Sequence, residues 1–164
     1  TSPQTLNTER PVNTELTQTQ IINRLQAYRE WYLSWRERPL FEESAPNPIR
    51  FIGGFCIITQ HREDELQVQM VVCQPGAVAP PHAHPNMDGL SMRVLGNVEL
   101  AISEGCTVLS DDLVFIPAGA KHGFTTSNEG FIYLNFEHWR NGKPDSVERD
   151  WEGEKICEGH EVNQ

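Results

Sequence analysis

The chain contains no long apolar run. Nowhere do the roughly 20 consecutive apolar residues of a membrane-crossing helix occur, so the sequence offers no candidate for one. Basic residues are scarce: 13 Lys plus Arg stand against 23 Asp plus Glu, a formal net charge of −10. A surface of that sign repels nucleic acid and anionic lipid alike. The expected partner is therefore a small-molecule substrate, with no nucleic acid and no membrane. The opening stretch TSPQTLNTERPVNTELTQTQ lacks the basic and apolar regions of a signal peptide, which favours the cytoplasm. The four cysteines, Cys56, Cys73, Cys106 and Cys157, include no C-x-x-C pair. That excludes a zinc knuckle and a dithiol redox motif, and the cysteines are expected to be reduced, the first three packed in strands. Also missing are a nucleophile with a neighbouring base, a glycine-rich phosphate loop and paired catalytic carboxylates.

What is present fits one domain, since 164 residues suffice for a single sizeable core. Residues 1–16 are polar and read as an extended arm. Over residues 17–36 the apolar positions Ile21, Leu25, Tyr28, Tyr32 and Trp35 recur at steps of three and four, and Thr17 with Gln20 can form a capping box. The spacing predicts an amphipathic helix whose aromatic stripe packs on a sheet or on a partner subunit. Together with the arm and Trp31 it makes a homodimer the expected assembly. Pro39, Pro46 and Pro48 then break the helix.

Short alternating segments follow, among them RFIGGFCIIT, ELQVQMVVC, LSMRVL, NVELAI, CTVL, LVFIP and GFIYLNFEHW. They are separated by turn signals such as QHRED, Gly96-Asn97, Glu104-Gly105 and Ser127-Asn128. Many short strands with close turns predict an all-β sandwich or barrel over residues 50–138. Residues 139–164 read as a charged tail pinned to the barrel by Trp151, Ile156 and Cys157.

The chemistry concentrates in PPHAHPNMDG, residues 80–89. His82 and His84 are two apart, so on a strand they share a face and can converge on one ion. Alone the pair is weak. Its context is Gly76, five residues, His82-Ala83-His84 and later Gly96, followed by DDLVFIPAGAKHGF with Pro117, Gly119 and His122. This arrangement resembles the cupin superfamily, whose motifs are G-x5-H-x-H-x3-4-E-x6-G and G-x5-P-x-G-x2-H-x3-N.

The resemblance implies a small antiparallel jelly-roll β-barrel in which His82, His84 and His122 meet a divalent metal. Fe is the expected ion, with Zn, Mn, Ni or Cu as alternatives. The chain departs from the motif at the usual glutamate, which falls on Gly89 or, with a shorter spacing, on Asp88. Asp88 is thus the candidate fourth ligand. Asp111 and Thr126 likewise replace a glycine and an asparagine of the second motif. Three neutral imidazoles would leave the full charge of the ion to attract anionic or enolisable oxygen pairs.

If Gly89 faces inward, Ser91 and Arg93 do so as well. Arg93 is then a candidate to hold a substrate carboxylate, unless it leans out of the barrel mouth or pairs with Asp88 or Glu99. On the last strand, alternation separates Tyr133, Asn135 and Glu137 from Leu134, Phe136 and His138 without showing which set faces inward. Tyr133 is a candidate to orient substrate or act as an acid. His61, in a predicted turn, and His160, in the tail, are not expected to be ligands. The resulting expectation is a mononuclear metal enzyme acting on a small acid, diketone or phenol, with oxygenase chemistry favoured. Isomerase, cyclase or lyase chemistry is the alternative on the same barrel. Outside catalysis, the alternatives are a sensor or carrier and an assembly protein with a vestigial site.

Overall fold

The computed structural model describes residues 16–34, 49–144, 147–156 and 162–163. The arm before residue 16, Trp35, the segment with Pro39, Pro46 and Pro48, Cys157 and His160 lie outside the described residues.

Helix α1 (Gln18–Ser34) precedes ten strands: β1 (Ile49–Ile52), β2 (Phe55–Glu63), β3 (Leu66–Cys73), β4 (Val78–Ala83), β5 (Met87–Ile102), β6 (Thr107–Ser110), β7 (Leu113–Ile116), β8 (His122–Trp139), β9 (Glu152–Gly153) and β10 (Val162–Asn163). They join antiparallel in the order β10-β1-β2-β3-β8-β5-β7-β6, with β4 paired to β8 and β9 to β4. The fold is the antiparallel jelly roll that the cupin resemblance implies, within the sandwich-or-barrel class that the strand pattern predicts.

Strands β5 and β8 form its spine. They pair from Met87–Trp139 to Gly96–Phe131, then again from Val98–Thr126 to Ile102–His122. Between these stretches the ribbon folds over on Gly96 and Gly130, at φ 90° and 83°. A Cβ on Gly96 would lie 2.3 Å from the Gly130 carbonyl oxygen, so only glycine permits the fold. One half of the ribbon then carries β3 and the other β4, and the two halves face each other across the interior.

The turn signals at Gly96-Asn97 and Ser127-Asn128 coincide with the break in the β5–β8 ladder, although each strand runs on through it. Conversely, Gly53-Gly54 splits the predicted RFIGGFCIIT strand into β1 and β2. Strand β2 runs on through His61, so the hairpin turn is Asp64-Glu65, with Asp64 at φ 47°.

Helix α1 starts with the reciprocal cap read from the sequence: the Gln20 amide donates to Thr17 Oγ1 at 3.1 Å and the Thr17 amide to Gln20 Oε1 at 2.8 Å. Its stripe of Ile21, Leu25, Tyr28 and Tyr32 is buried on the outer face of the sheet, against Val68, Leu90, Phe115, Leu134 and Phe136. Each such side chain contributes roughly 1.5–3 kcal/mol by leaving water. Within the described residues the stripe is therefore covered by the chain's own sheet. His61 is buried beneath the helix and bonded to the Tyr28 hydroxyl at 2.9 Å.

This outer packing decides which residues face in. Leu66, Val68 and Met70 lie with the helix, while Gln67, Gln69 and Val71 line the interior. Cys56, Cys73 and Cys106 are free thiols. Among the described residues no helix is long and apolar enough to cross a membrane.

Candidate metal centre

His82 is the penultimate residue of β4, where Pro80 and Pro81 sit in an irregularity of its pairing with β8. Prolines carry no amide donor and so belong at such a break in a ladder. The His82 Nδ1 donates to the Pro80 carbonyl at 2.6 Å, His122 Nδ1 to the Ala120 carbonyl at 3.0 Å, and His84 Nδ1 to the Asp150 carbonyl at 2.8 Å. A carbonyl only accepts, so each ring carries its proton on Nδ1 and presents a lone pair on Nε2.

The rings are neighbours, with centroids 4.2 Å apart for His82 and His122, 4.9 Å for His82 and His84, and 5.3 Å for His84 and His122. One ligand atom from each lies within 4.8 Å of the others, a group able to hold a metal ion. Burial keeps the rings neutral. It pushes His82 down to about 3, helped by His122, and His122 down to about 4; His84 is lowered by the same cause. The donor set fits a borderline divalent cation such as Fe, Zn, Ni or Cu.

Asp88 is not part of this group, which corrects the sequence expectation. It lies one residue out of phase with the inward-facing Gly89 and points to the opposite face of β5. There it is fully buried, accepting from the Ala118 amide at 2.8 Å, Arg140 at 2.9 and 3.0 Å, and His138 at 3.3 Å. Burial alone would raise its carboxyl, yet the bonds from His138, Arg140 and Ala118 hold it below the ordinary range. Its work is structural. It ties β5 to the Pro117–Ala120 turn, whose Gly119 amide also donates to the His84 carbonyl at 2.9 Å. The two histidine-bearing segments are locked together through this turn.

A strap formed by residues 147–156 closes the group from the C-terminal side. Strand β9 pairs with β4 at His82–Gly153 and Ala83–Glu152. Trp151 lies flat on His82, with centroids 3.8 Å apart and planes 4° from parallel. Asp150 gives its carbonyl to His84 and its carboxylate to the Asn86 amide at 2.9 Å. Ile156 packs into the apolar cluster of Phe55 and Phe131. The sequence pattern pins Trp151 and Ile156 to the barrel but does not show that Trp151 meets one of the clustered histidine rings; a single tryptophan in a charged tail is the local signal.

The three histidines stand on the wall of a cavity of about 270 Å³ between the two halves of the jelly roll. Ser91 and Arg93 face it with Gly89. Arg93 sits at a solvent-exposed position, where it pairs with Asp112 at 2.6 and 3.0 Å and with Asn97 at 2.7 Å. Its partner is thus neither Asp88 nor Glu99. Tyr133, Asn135 and Glu137 are the inward set of β8. Tyr133 packs edge-on to Phe124 at 5.8 Å, and burial, with Cys73 and Glu137 nearby, raises its phenol well above the usual value. Its hydroxyl therefore keeps its proton near neutral pH, at a position in the cavity wall.

Glu137 was left undecided by sequence and is the cavity's buried carboxyl. Gln67 Nε2 donates to its Oε1 and Asn135 Nδ2 to its Oε2, both at 2.8 Å, and Ser91 Oγ donates to Asn135 Oδ1 at 2.9 Å. Burial raises it to about 7 against the opposing effects of Gln67, Lys143 and Asn135.

Two histidine-bearing segments, spaced as in the cupin motifs, meet at one end of a jelly-roll interior with their Nε2 atoms free. That is the arrangement which the resemblance to the cupin motifs implies. No family model matches the sequence, and no curated protein matches it. Among solved structures, the chain is similar in fold to an RmlC-like cupin from Shewanella frigidimarina NCIMB 400, at 25% identity and a TM-score of 0.49, over 63% of this chain and 91% of that one. It is also similar to KdgF from Halomonas sp., at 22% identity and a TM-score of 0.48, over 56% of this chain and 82% of that one.

Proposed function

We propose that this cupin-type barrel is a mononuclear metal-dependent enzyme acting on a small organic substrate that chelates the ion through two oxygens. One observation carries the reading: three imidazoles, each bonded through Nδ1–H to a main-chain carbonyl and so carrying a lone pair on Nε2, bring one ligand atom apiece within 4.8 Å of the others on the cavity wall. Fixing the tautomer of a ligand before the metal arrives is what a built site requires. When bound, the ion would supply Lewis acidity, its charge not offset by any carboxylate among the three donors.

The chain's own residues define the rest. Phe55, Phe124 and Phe131 give the cavity an apolar side that limits water, and Gln67, Ser91 and Asn135 give it a hydrogen-bonding side that orients a polar substrate. Arg93 is held by Asp112 and serves the cavity's exposed rim rather than its depth. Oxygenation and non-oxidative chemistry both suit such an ion; the buried carboxyl of Glu137 favours the non-oxidative group of isomerases, cyclases and lyases. A sensor or carrier would need no such carboxyl.

The test is elemental analysis of tag-free protein after reconstitution with Fe, Mn, Ni or Zn. About one ion per chain is expected. A stoichiometry near zero for all four would sink the proposal, and metal-dependent oxygen uptake with a chelating acid would return oxygenation to first place.

A further inference from the structure

The glutamate position of the first cupin motif holds Gly89, and directly across the ladder from it stands Glu137. A side chain at position 89 would come within 3.2 Å of Asn135 Oδ1. The glycine therefore keeps clear the space in which Asn135 reaches its carboxylate partner. The carboxyl missing from β5 is thus present on the next strand, on the same inward face and in the wall of the same cavity. It is held away from the histidine group, which does not include it.

Resting on the proposed metal site, we propose that Glu137 is its proton-transferring residue, removing or returning a proton on the carbon next to a carbonyl of a small 2-oxo acid or 1,3-dicarbonyl. In that step the C–H bond breaks and the proton passes to a Glu137 carboxylate oxygen. The bonding pair enters a carbon–carbon double bond, and the carbonyl π pair settles on oxygen. Return of the proton to the same carbon exchanges its hydrogen, and return to another position isomerises the substrate. No oxidant is needed.

The geometry suits the task. Each Glu137 oxygen accepts one amide N–H, from Gln67 and Asn135, and an ionised carboxylate has acceptor sites to spare for a substrate proton. The charged and titratable groups around it are Lys143 after β8, Tyr133 on its own strand, and the three histidines with Arg93, Asp111 and Asp112 in the wall of the shared cavity. Gln67 of β3, Ser91 of β5 and Asn135 of β8 are neutral. A group with its value near 7 is divided between acid and base at neutral pH, the condition under which one residue serves both directions. The requirement for an acidic C–H narrows the substrate class, because phenols lack one.

Two readouts test this, the first without metal. Infrared spectra of the metal-free protein should show a protonated buried carboxyl at pH 6 that fades as pH rises through about 7, and E137Q should lack it. Zinc-loaded wild type in deuterated water should exchange the methyl protons of pyruvate about 100-fold faster than E137Q at equal zinc content. Should E137Q fail to fold, E137D takes its place; withdrawing the carboxyl by one methylene should also slow exchange about 100-fold. Equal exchange at equal zinc content, wild-type exchange no faster than that of free zinc, or persistence of the infrared band in E137Q overturns the proposal. Failure of the wild type to bind zinc overturns the metal site and this proposal with it. Failure of Glu137 alone leaves zinc bound.

Discussion

Arg140 grips Asp88 with two bonds, Nη2 to Oδ1 at 2.9 Å and Nε to Oδ2 at 3.0 Å, while Asp88 itself has no exposure to solvent. A buried carboxylate with this many donors is anchored, and removing its charge strands its partners. Asp88→Asn should therefore lower stability by about 3 kcal/mol in urea denaturation while leaving metal content unchanged. Loss of metal from a variant that remains folded would restore Asp88 as a ligand.

His122 lies at the start of β8, half-buried, with its side chain bonded to the Ala120 carbonyl of the preceding turn. His122→Ala should abolish stoichiometric metal binding with the strand signal in circular dichroism preserved. Unchanged metal content would remove His122 from the site.

Acid should dislodge the metal later than ordinary histidines would predict. Three imidazoles at an unperturbed value near 6.5 would lose about a thousandfold in affinity by pH 5.5 through proton competition. With His82 near 3 and His122 near 4, only His84 can contribute, so the loss should stay under about tenfold. Calorimetric zinc titrations at pH 5.5 and at a pH well above 6.5 decide between these figures. The same shifts act on folding with a definite sign. The unfolded chain takes up protons below about 6.5 while the folded chain refuses them, so metal-free stability should fall as pH drops from 6.5 toward 4 and stay level with respect to these groups above 6.5. Denaturation midpoints across that range test it.

Trp151 covers His82 face to face and comes from the strap that also anchors His84. Trp151→Ala should weaken metal affinity about 10- to 100-fold, the usual cost of removing an outer support of a ligand. His82 and His84 themselves remain in place to bind. An affinity equal to wild type in competition with a chelator would show the stack to be incidental.

The parts legible in the sequence are those written locally. Thr17 and Gln20 cap helix α1 within one turn, and its stripe repeats over adjacent turns. The histidines announce themselves through two motifs whose internal spacings are short. Asp88 went wrong because strand period is two, so a one-residue choice of register turns a ligand into a structural anchor on the other face. Tyr133, Asn135 and Glu137 could not be assigned because β8 is covered on both sides, by the helix over Leu134 and Phe136 and by the cavity on the other. Ordinary reasoning puts polar residues outward, and here the polar set faces in. Trp151 lies 69 residues after His82 in sequence, and no local pattern encodes that meeting.

Strand β8 pairs with β3, β4 and β5 and is the last long strand among the described residues. During synthesis from the N-terminus, these three strands emerge before the strand that joins them, and long-range closure of this kind is slow. Until β8 and the strap follow, His82 and His84 are an incomplete pair on an open chain, without His122 and without the Asp150 carbonyl that orients His84. The histidine group is complete only once β8 and the strap have joined the sheet, so an ion held by all three rings would have to be taken up after that step and not before it.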